Sequence, residues 1–409
     1  MTVPVRSLNP FRVLLKYRNF RLFWTGQTIS LIGSWMQQVA IGWLALELSN
    51  DPFLVGLVAA AGTLPILLFS LPGGALADRS DKLRVIRTAQ TLMLLEATAL
   101  FYLAMTEHLT IGSLILLTSI GGLLAAFEIP ARQAMFVELV GHADLPQAIG
   151  LNSTGFNLAR VLGPTVAAVV IAKLGIAWTF GLNALSFLSV LVGLAMIQLP
   201  PRAVAPGPRQ SAFDGMLEAV RFVRATRPLP QLMLVASTFS VLGIPVITLL
   251  PVVARDLLGL GAEGYGALMA TLGLGAISGA LGIAATGGGA QKGRTMFWAS
   301  HLFPLLLVVF AFVRFPVVNG LLLFFVGITM ILNNALVNAR LQEVVPDALR
   351  GRVISLYVMV YIGGSPLGSF LGGALAKWFG AAWAIGACAT AMLLFAVWIF
   401  RREPALTAH

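Results

Sequence analysis

Apolar residues gather along this chain in runs of roughly 20 to 30 residues, separated only by short clusters of charge, Gly and Pro. An α-helix rises about 1.5 Å per residue, so each run is long enough to cross the hydrocarbon core of a bilayer. The runs fall at residues 20–46, 53–77, 84–106, 109–138, 145–171 and 175–199, and again at 229–254, 263–285, 295–313, 316–339, 350–376 and 380–401. The pattern predicts an all-α integral membrane protein whose twelve transmembrane helices form two six-helix repeats.

The polar intervals divide the chain further. A segment 1–19 precedes the first half (20–199), a linker 200–228 separates it from the second half (229–401), and a tail 402–409 follows. In the linker, Pro200, Pro201, Pro206 and Pro208 break any helix, after which Phe213, Met216, Leu217, Val220 and Val223 recur at helical spacing beside Glu218, Arg221 and Arg224. That spacing predicts an amphipathic helix at the membrane surface. A second short helix is expected before the first run, with Asn9 as cap, Pro10 in the first helical position and Phe11, Leu14 and Leu15 as its apolar face. No pattern of a cleavable leader occurs, so residue 1 is read as the mature start.

Composition agrees with this division. Hydrophobic residues make up 58% of the chain and charged ones 11%, too few to cover a water-facing surface. The net charge of +11 suggests nucleic acid only until its placement is considered. With the N-terminus cytoplasmic, the inner loops and termini carry about 22 Lys and Arg and the outer loops about 4. Both termini and the linker are therefore expected in the cytoplasm, with the chain in the inner (plasma) membrane and no nucleic acid as partner. The single cysteine, Cys388, allows no intrachain disulfide and reads as an inert core thiol.

The halves repeat weakly in sequence. Ala131-Arg132-Gln133 leaves run four much as Ala339, Arg340 and Gln342 leave run ten; Gly163-Pro164 is similar to Ser365-Pro366-Leu367-Gly368, and Lys173, Gly175 and Trp178 to Lys377, Gly380 and Trp383. Ionisable residues inside the runs cost about 2.5 to 3.5 kcal/mol each at a helix centre, so each needs a reason. Glu128 and Arg160 fall at similar depth, with Arg132 one turn from Glu128. They form either a permanent ion pair fixing helices or a carboxylate that exchanges a proton as its surroundings change. Glu47 is a weaker proton candidate near the outer surface. Gly288, Gly293, Arg294 and Thr295 imitate a phosphate-binding loop, but Arg stands where Lys is required and no strand precedes it. No nucleotide or other cofactor is expected. His301 stands alone in the sequence without metal-ligand spacing, so no metal site and no enzyme are expected either.

After run two, the chain reads Gly74-Ala75-Leu76-Ala77-Asp78-Arg79-Ser80-Asp81-Lys82-Leu83-Arg84. This resembles the loop motif of the major facilitator superfamily, except that Asp81 replaces a usual Gly and Leu83 a usual basic residue. The resemblance implies a latch: Asp78 faces the positive end of helix eleven, and Arg79 or Arg84 pairs with a carboxylate such as Glu138. In run five, Gly150, Ala159, Gly163-Pro164 and Ala167-Ala168 resemble the superfamily's antiporter motif, with Ala at three glycine positions. Pro130-Ala131-Arg132-Gln133, Leu151-Asn152-Ser153, Asn157-Leu158-Ala159-Arg160 and Leu349-Arg350-Gly351-Arg352-Val353 are similar to its enterobactin-exporter-like branch, which includes drug efflux proteins.

That resemblance covers essentially the whole chain and implies a secondary transporter exporting a small amphipathic molecule by proton antiport, coupled through Glu128, Arg160 and Arg132. An importer on the same fold, or a non-transporting membrane scaffold, are the rival readings. The partners expected are the solute, protons and the lipid bilayer, with the chain acting as a monomer. Helices one, four, seven and ten line the cavity in this superfamily, which makes Gln27, Ser30, Ser34, Trp35 and Gln38 on helix one, and Asn334 and Asn338 on helix ten, the expected solute contacts. Interhelical hydrogen bonding is the alternative for each. Glu96 in run three is placed by the resemblance on a peripheral helix, where packing explains it. Asp78→Asn is expected to abolish transport at normal membrane expression; wild-type transport rates in the variant would refute the latch.

Overall fold

The computed structural model describes residues 12–197, 212–286 and 292–407. Among the expectations above, Asn9, Pro10, Phe11, the four linker prolines and Gly288 lie outside the described residues, as do the side chains of Asp78 and Phe213. Twelve described helices are long and apolar enough to cross a membrane. Spans one to six are Arg18–Ser49, Pro52–Ala77, Lys82–Met105, Ile111–Val140, Leu145–Leu174 and Ala177–Met196; spans seven to twelve are Leu229–Leu257, Ala262–Ala285, Lys292–Phe312, Pro316–Val344, Leu349–Phe379 and Ala381–Arg402.

Local chemistry sets the ends of these helices. Span two starts where the Asp51 carboxylate accepts the Phe53 N–H at 2.9 Å, with Pro52 in the first turn. Asp81, the departure from the loop motif, caps span three by accepting the Leu83 and Arg84 N–H groups at 3.0 and 3.3 Å. Thr110 and Ser113 cap span four reciprocally. Spans four, five and eleven stop at Gly141, Gly175 and Gly380, whose φ values of 71, 90 and 83° suit a residue without Cβ.

An even number of crossings returns the chain to the side it started from. Lys16 reaches Asp144 at the start of span five at 2.5 Å, and Arg227 before span seven reaches Glu403 after span twelve at 3.2 Å. This side is called the terminal end, and the opposite side the far end. Trp178, Trp378 and Trp383 are exposed at the far end, in the manner of an interfacial aromatic belt.

Spans two and four pack along one another, and so do spans eight and ten. Both seams depend on backbone contact: a Cβ on Gly122 would run into the Gly62 carbonyl, and one on Gly275 into the Phe324 carbonyl. The repeat extends to charge. Lys82 opening span three pairs with Glu138 closing span four at 2.7 Å, and Lys292 opening span nine pairs with Glu343 closing span ten at 2.8 Å. Between the two sets of six, span two lies on span eleven and span five on span eight.

Span seven is not a uniform helix. It widens into π turns at Phe239–Gly243 and Val253–Leu257. Pro245 has no N–H to offer the Val241 carbonyl, which points at Gly368 of span eleven, while the Ser240 hydroxyl donates to the Tyr361 carbonyl.

The two short helices differ in detail from expectation. In Ala212–Ala225, Ala219 and Val223 are buried against the terminal ends of spans seven and eleven, and Glu218 pairs with Arg352. Leu217, expected on the apolar face, is exposed. In Arg12–Lys16, Val13 is the buried residue and Leu15 is exposed, because one short turn can bury only one side chain.

Gly122→Val and Gly275→Val are each expected to cost about 1–3 kcal/mol or more through overpacking. The readout is a lowered thermal midpoint of the detergent-purified protein, with Gly320→Val, which meets no atom within 4 Å, as the control. Midpoints equal to the control would remove the seams from the account.

Candidate functional site

A cavity of about 530 Å³ lies between the two sets of six helices. Its walls come from spans one to six on one side and from spans seven, eight, ten and eleven on the other. Apolar contacts come from Trp35, Ile41, Ile66 and Met330; Ser34, Gln38, Thr63, Tyr265 and Tyr361 add polar edges. Two ionisable residues of opposite charge, Glu96 and Arg160, share it.

The far end of this cavity is sealed. Asp51 pairs with Lys377 at 2.8 Å, and Arg255 donates to the Asn50 side chain at 2.6 Å. The Phe53 and Phe370 rings meet edge-on at 5.4 Å, and Trp43 stacks on Tyr265 at 6.2 Å. A Cβ on Gly56 would lie 2.5 Å from the Ser369 carbonyl oxygen, so spans two and eleven touch through their backbones there. At the terminal ends of spans two, five and eleven, a Cβ on Gly74, Gly150 or Gly351 would meet no atom within 4 Å. The helix surface is open at these three positions.

Three of the expected solute contacts line the cavity: Ser34, Trp35 and Gln38. Gln27 and Ser30 do not. Both are buried one to two turns toward the terminal end, where span one is covered by spans five and six: Gly155 closes on Thr28 and Trp24, and Gly26 sits against Ser189. Asn334 and Asn338 also miss it, since their side-chain carbonyls accept from the Tyr357 hydroxyl at 3.0 Å and the Gln342 amide at 2.6 Å. Met330, a turn nearer the far end, takes their place in the wall.

Glu128 and Arg160 are not brought together. Glu128 is buried and accepts from Arg132 Nε at 2.9 Å and from Gln90 Nε2 at 3.3 Å; Arg132 also reaches the Asn152 carbonyl at 3.4 Å. That network ties spans three, four and five. Arg160 lies eight residues beyond Asn152, about 12 Å further along span five. It faces the cavity with a buried Nη2 that has no hydrogen-bond partner. Glu47 is exposed.

Sequence reasoning set Glu96 aside, but the structure puts it in the cavity wall. It is 6% exposed, and both carboxylate oxygens accept from Gln37 Nε2 at 3.3 Å. Gln37 in turn accepts from Asn183 Nδ2 at 2.7 Å, and Ser186 donates to Asn183. The signal available in sequence was the cost of any charge inside an apolar run.

In the span-five motif, Gly163 admits the Trp35 side chain and the Ile32 carbonyl of span one, Ala159 and Ala167 are fully buried, and Gly266 of span eight closes on the Pro164 carbonyl and Ala168. The small residues therefore lie on the seam of spans one, five and eight. Gly150 is open. At the loop motif, Lys82 rather than Arg79 or Arg84 donates to Glu138. Cys388 is a buried free thiol. Among the described residues no group of His, Cys, Asp and Glu has metal-binding geometry.

Comparison with known proteins adds to this geometry. Residues 7–407 match the family described as transmembrane secretion effector. The multidrug efflux pump Tap of Mycolicibacterium fortuitum is 30% identical over 366 residues, covering 84% of this chain and 86% of that protein. The enterobactin exporter EntS of Shigella flexneri is 25% identical over 357 residues, covering 87% and 84%. In fold, the chain is similar to a crystal structure of a bacterial homologue of the human lysosomal transporter Spinster, in an inward-facing and unoccupied conformation. The TM-score is 0.76 at 13% identity, with 98% of each chain covered.

The far-end seal is expected to depend on pH. Burial pushes the Asp51 carboxyl up, but the Lys377 ammonium and the Phe53 N–H together outweigh it and hold the group below its ordinary value. A depressed carboxyl stabilises the sealed form above its ordinary range and ceases to do so as pH falls through the depressed value. Spin labels replacing the exposed far-end residues His108 and Phe315, in a Cys388→Ala background, should move apart on acidification below about pH 4. Asp51→Asn should show the wider separation at neutral pH; one distance shared by both proteins at every pH would overturn this.

Proposed function

This chain belongs to the transmembrane secretion effector family of the major facilitator superfamily, and from that premise we propose that it exports a small amphipathic organic molecule in exchange for protons. The observation that carries the proposal is the central cavity, walled by both sets of six helices and sealed at the far end. A site between two such bodies can be exposed to one side at a time by rocking one against the other. The excess of Lys and Arg at the terminal end argues that this end is cytoplasmic, so the cavity in this conformation faces the cytoplasm. A solute would be loaded there and released when the Asp51–Lys377 side opens.

The wall chemistry suits an amphipathic solute. Trp35, Ile66 and Met330 offer apolar surface, while Ser34, Gln38 and Thr63 offer a few neutral hydrogen-bonding groups. The names of the relatives, a multidrug pump and a siderophore exporter, support the outward direction. Residues 20–199 and 229–401 act as the two rocking bodies in this reading, with 200–228 as their tether. Asp78, Arg79, Arg84 and Glu138 belong to a latch that closes the cytoplasmic side when the far end opens.

Everted inner-membrane vesicles with an imposed proton gradient test the reading. The expected result is accumulation of rhodamine 6G or erythromycin above that of vesicles lacking the protein, lost when nigericin and valinomycin collapse the gradient. Accumulation that survives the collapse would overturn antiport, and accumulation only in right-side-out vesicles would make the protein an importer.

A further inference from the structure

We infer that Glu96, not Glu128, is the site at which the transported proton binds; the inference rests on the antiport reading above and deepens it. A coupling carboxylate must be reachable from the cavity, and its loss of charge must not strand a buried partner. Glu128 fails on the second count. A proton on it would leave the buried Arg132 guanidinium uncompensated, and stranding one member of a buried pair is strongly unfavourable.

Glu96 meets both conditions. It lines the cavity and, among the described residues, has an amide rather than a cation as its partner. Asn183 fixes which way that amide points: its Nδ2 donates to Gln37 Oε1, so Gln37 must turn Nε2 toward Glu96. A neutral acid can still accept from Gln37 through its carbonyl oxygen, so the network survives protonation.

The titratable side chains in the same cavity are Arg160 from span five, Tyr265 from span eight and Tyr361 from span eleven. Of the helices packed on span three, span six contains none, and span four contributes Glu128, Arg132 and Glu138. Gly121 stands opposite Glu96, and Glu128 lies about 10 Å beyond it toward the terminal end. Glu96 and Arg160 both line the cavity, but among the described residues no hydrogen bond or ion pair joins them, so a proton on Glu96 breaks no pair. A solute that hydrogen-bonds the Glu96 carboxylate favours the charged form, so the acid's O–H bond breaks and the proton passes to water in the cavity. Solute and proton then compete for one group, as exchange requires.

Infrared difference spectroscopy of the full-length protein in liposomes, titrated with pH, tests the assignment without any solute. Wild type and Glu128→Gln should show a titrating carbonyl band of a protonated carboxylic acid. Glu96→Gln should lose it, and Glu96→Asp should return a shifted band, which guards against mere misfolding. A band that persists in Glu96→Gln, or no titrating band in wild type, would overturn the assignment. In the everted vesicles, Glu96→Gln should lose gradient-driven accumulation of the same probes while keeping downhill exchange. Wild-type accumulation insensitive to the gradient would instead refute antiport and leave the infrared assignment to stand or fall separately.

Discussion

A bilayer offers no water to a stray polar group, so each charge within the spans must be compensated by the protein itself. Glu128 is met by Arg132 one turn away and by Gln90, in a buried knot of three helices. Glu96 is met by the Gln37 amide, whose orientation is set by Asn183. Arg160 keeps a buried donor without a partner and faces the cavity instead. One compensation is closed, one is neutral, and one is left open. The open and the neutral ones share the same space, where a solute or a proton can change the balance.

The scaffold around that space is built twice. The glycine contacts of spans two and four have their counterpart in spans eight and ten, and Lys82–Glu138 has its counterpart in Lys292–Glu343. Contacts inside each set are backbone against backbone, which leaves no slack for sliding. Contacts between the sets share the glycine approaches, Gly56 on span eleven and Gly266 on span five, and add at the far end one half-exposed ion pair, an Arg255–Asn50 hydrogen bond and ring edges. Half-exposed ion pairs are worth little each.

Most of the fold was legible in the sequence, because apolar runs of bilayer length are a strong signal and the basic residues order them by side. At the loop motif, the Glu138 partner is Lys82 rather than the expected Arg79 or Arg84, and the cap made by Asp81 was not foreseen. The cavity was harder. A stripe at spacings of three and four residues places Gln27, Ser30, Ser34 and Gln38 on one face, but not which length of that face a neighbouring helix covers; Gly26 and Gly155 draw spans six and five over the lower part. Asn334 looked available because its partner Tyr357 lies on another span, whereas Gln342, one turn beyond Asn338 on the same helix, was a readable partner. Glu96 was set aside by analogy with a helix position, although the cost of burying its charge was itself the better guide.

Span seven adds a geometrical consequence. An α-helix turns by about 100° per residue, and a π turn holds one residue more than an α turn. The two wide turns, Phe239–Gly243 and Val253–Leu257, bracket Pro245–Val252, whose Ile247 and Thr248 look into the cavity beside Ile244. Each wide turn therefore shifts the phase of the side chains that follow it relative to an unbroken α-helix, and the residues of Pro245–Val252 that line the cavity are selected by the first of these shifts.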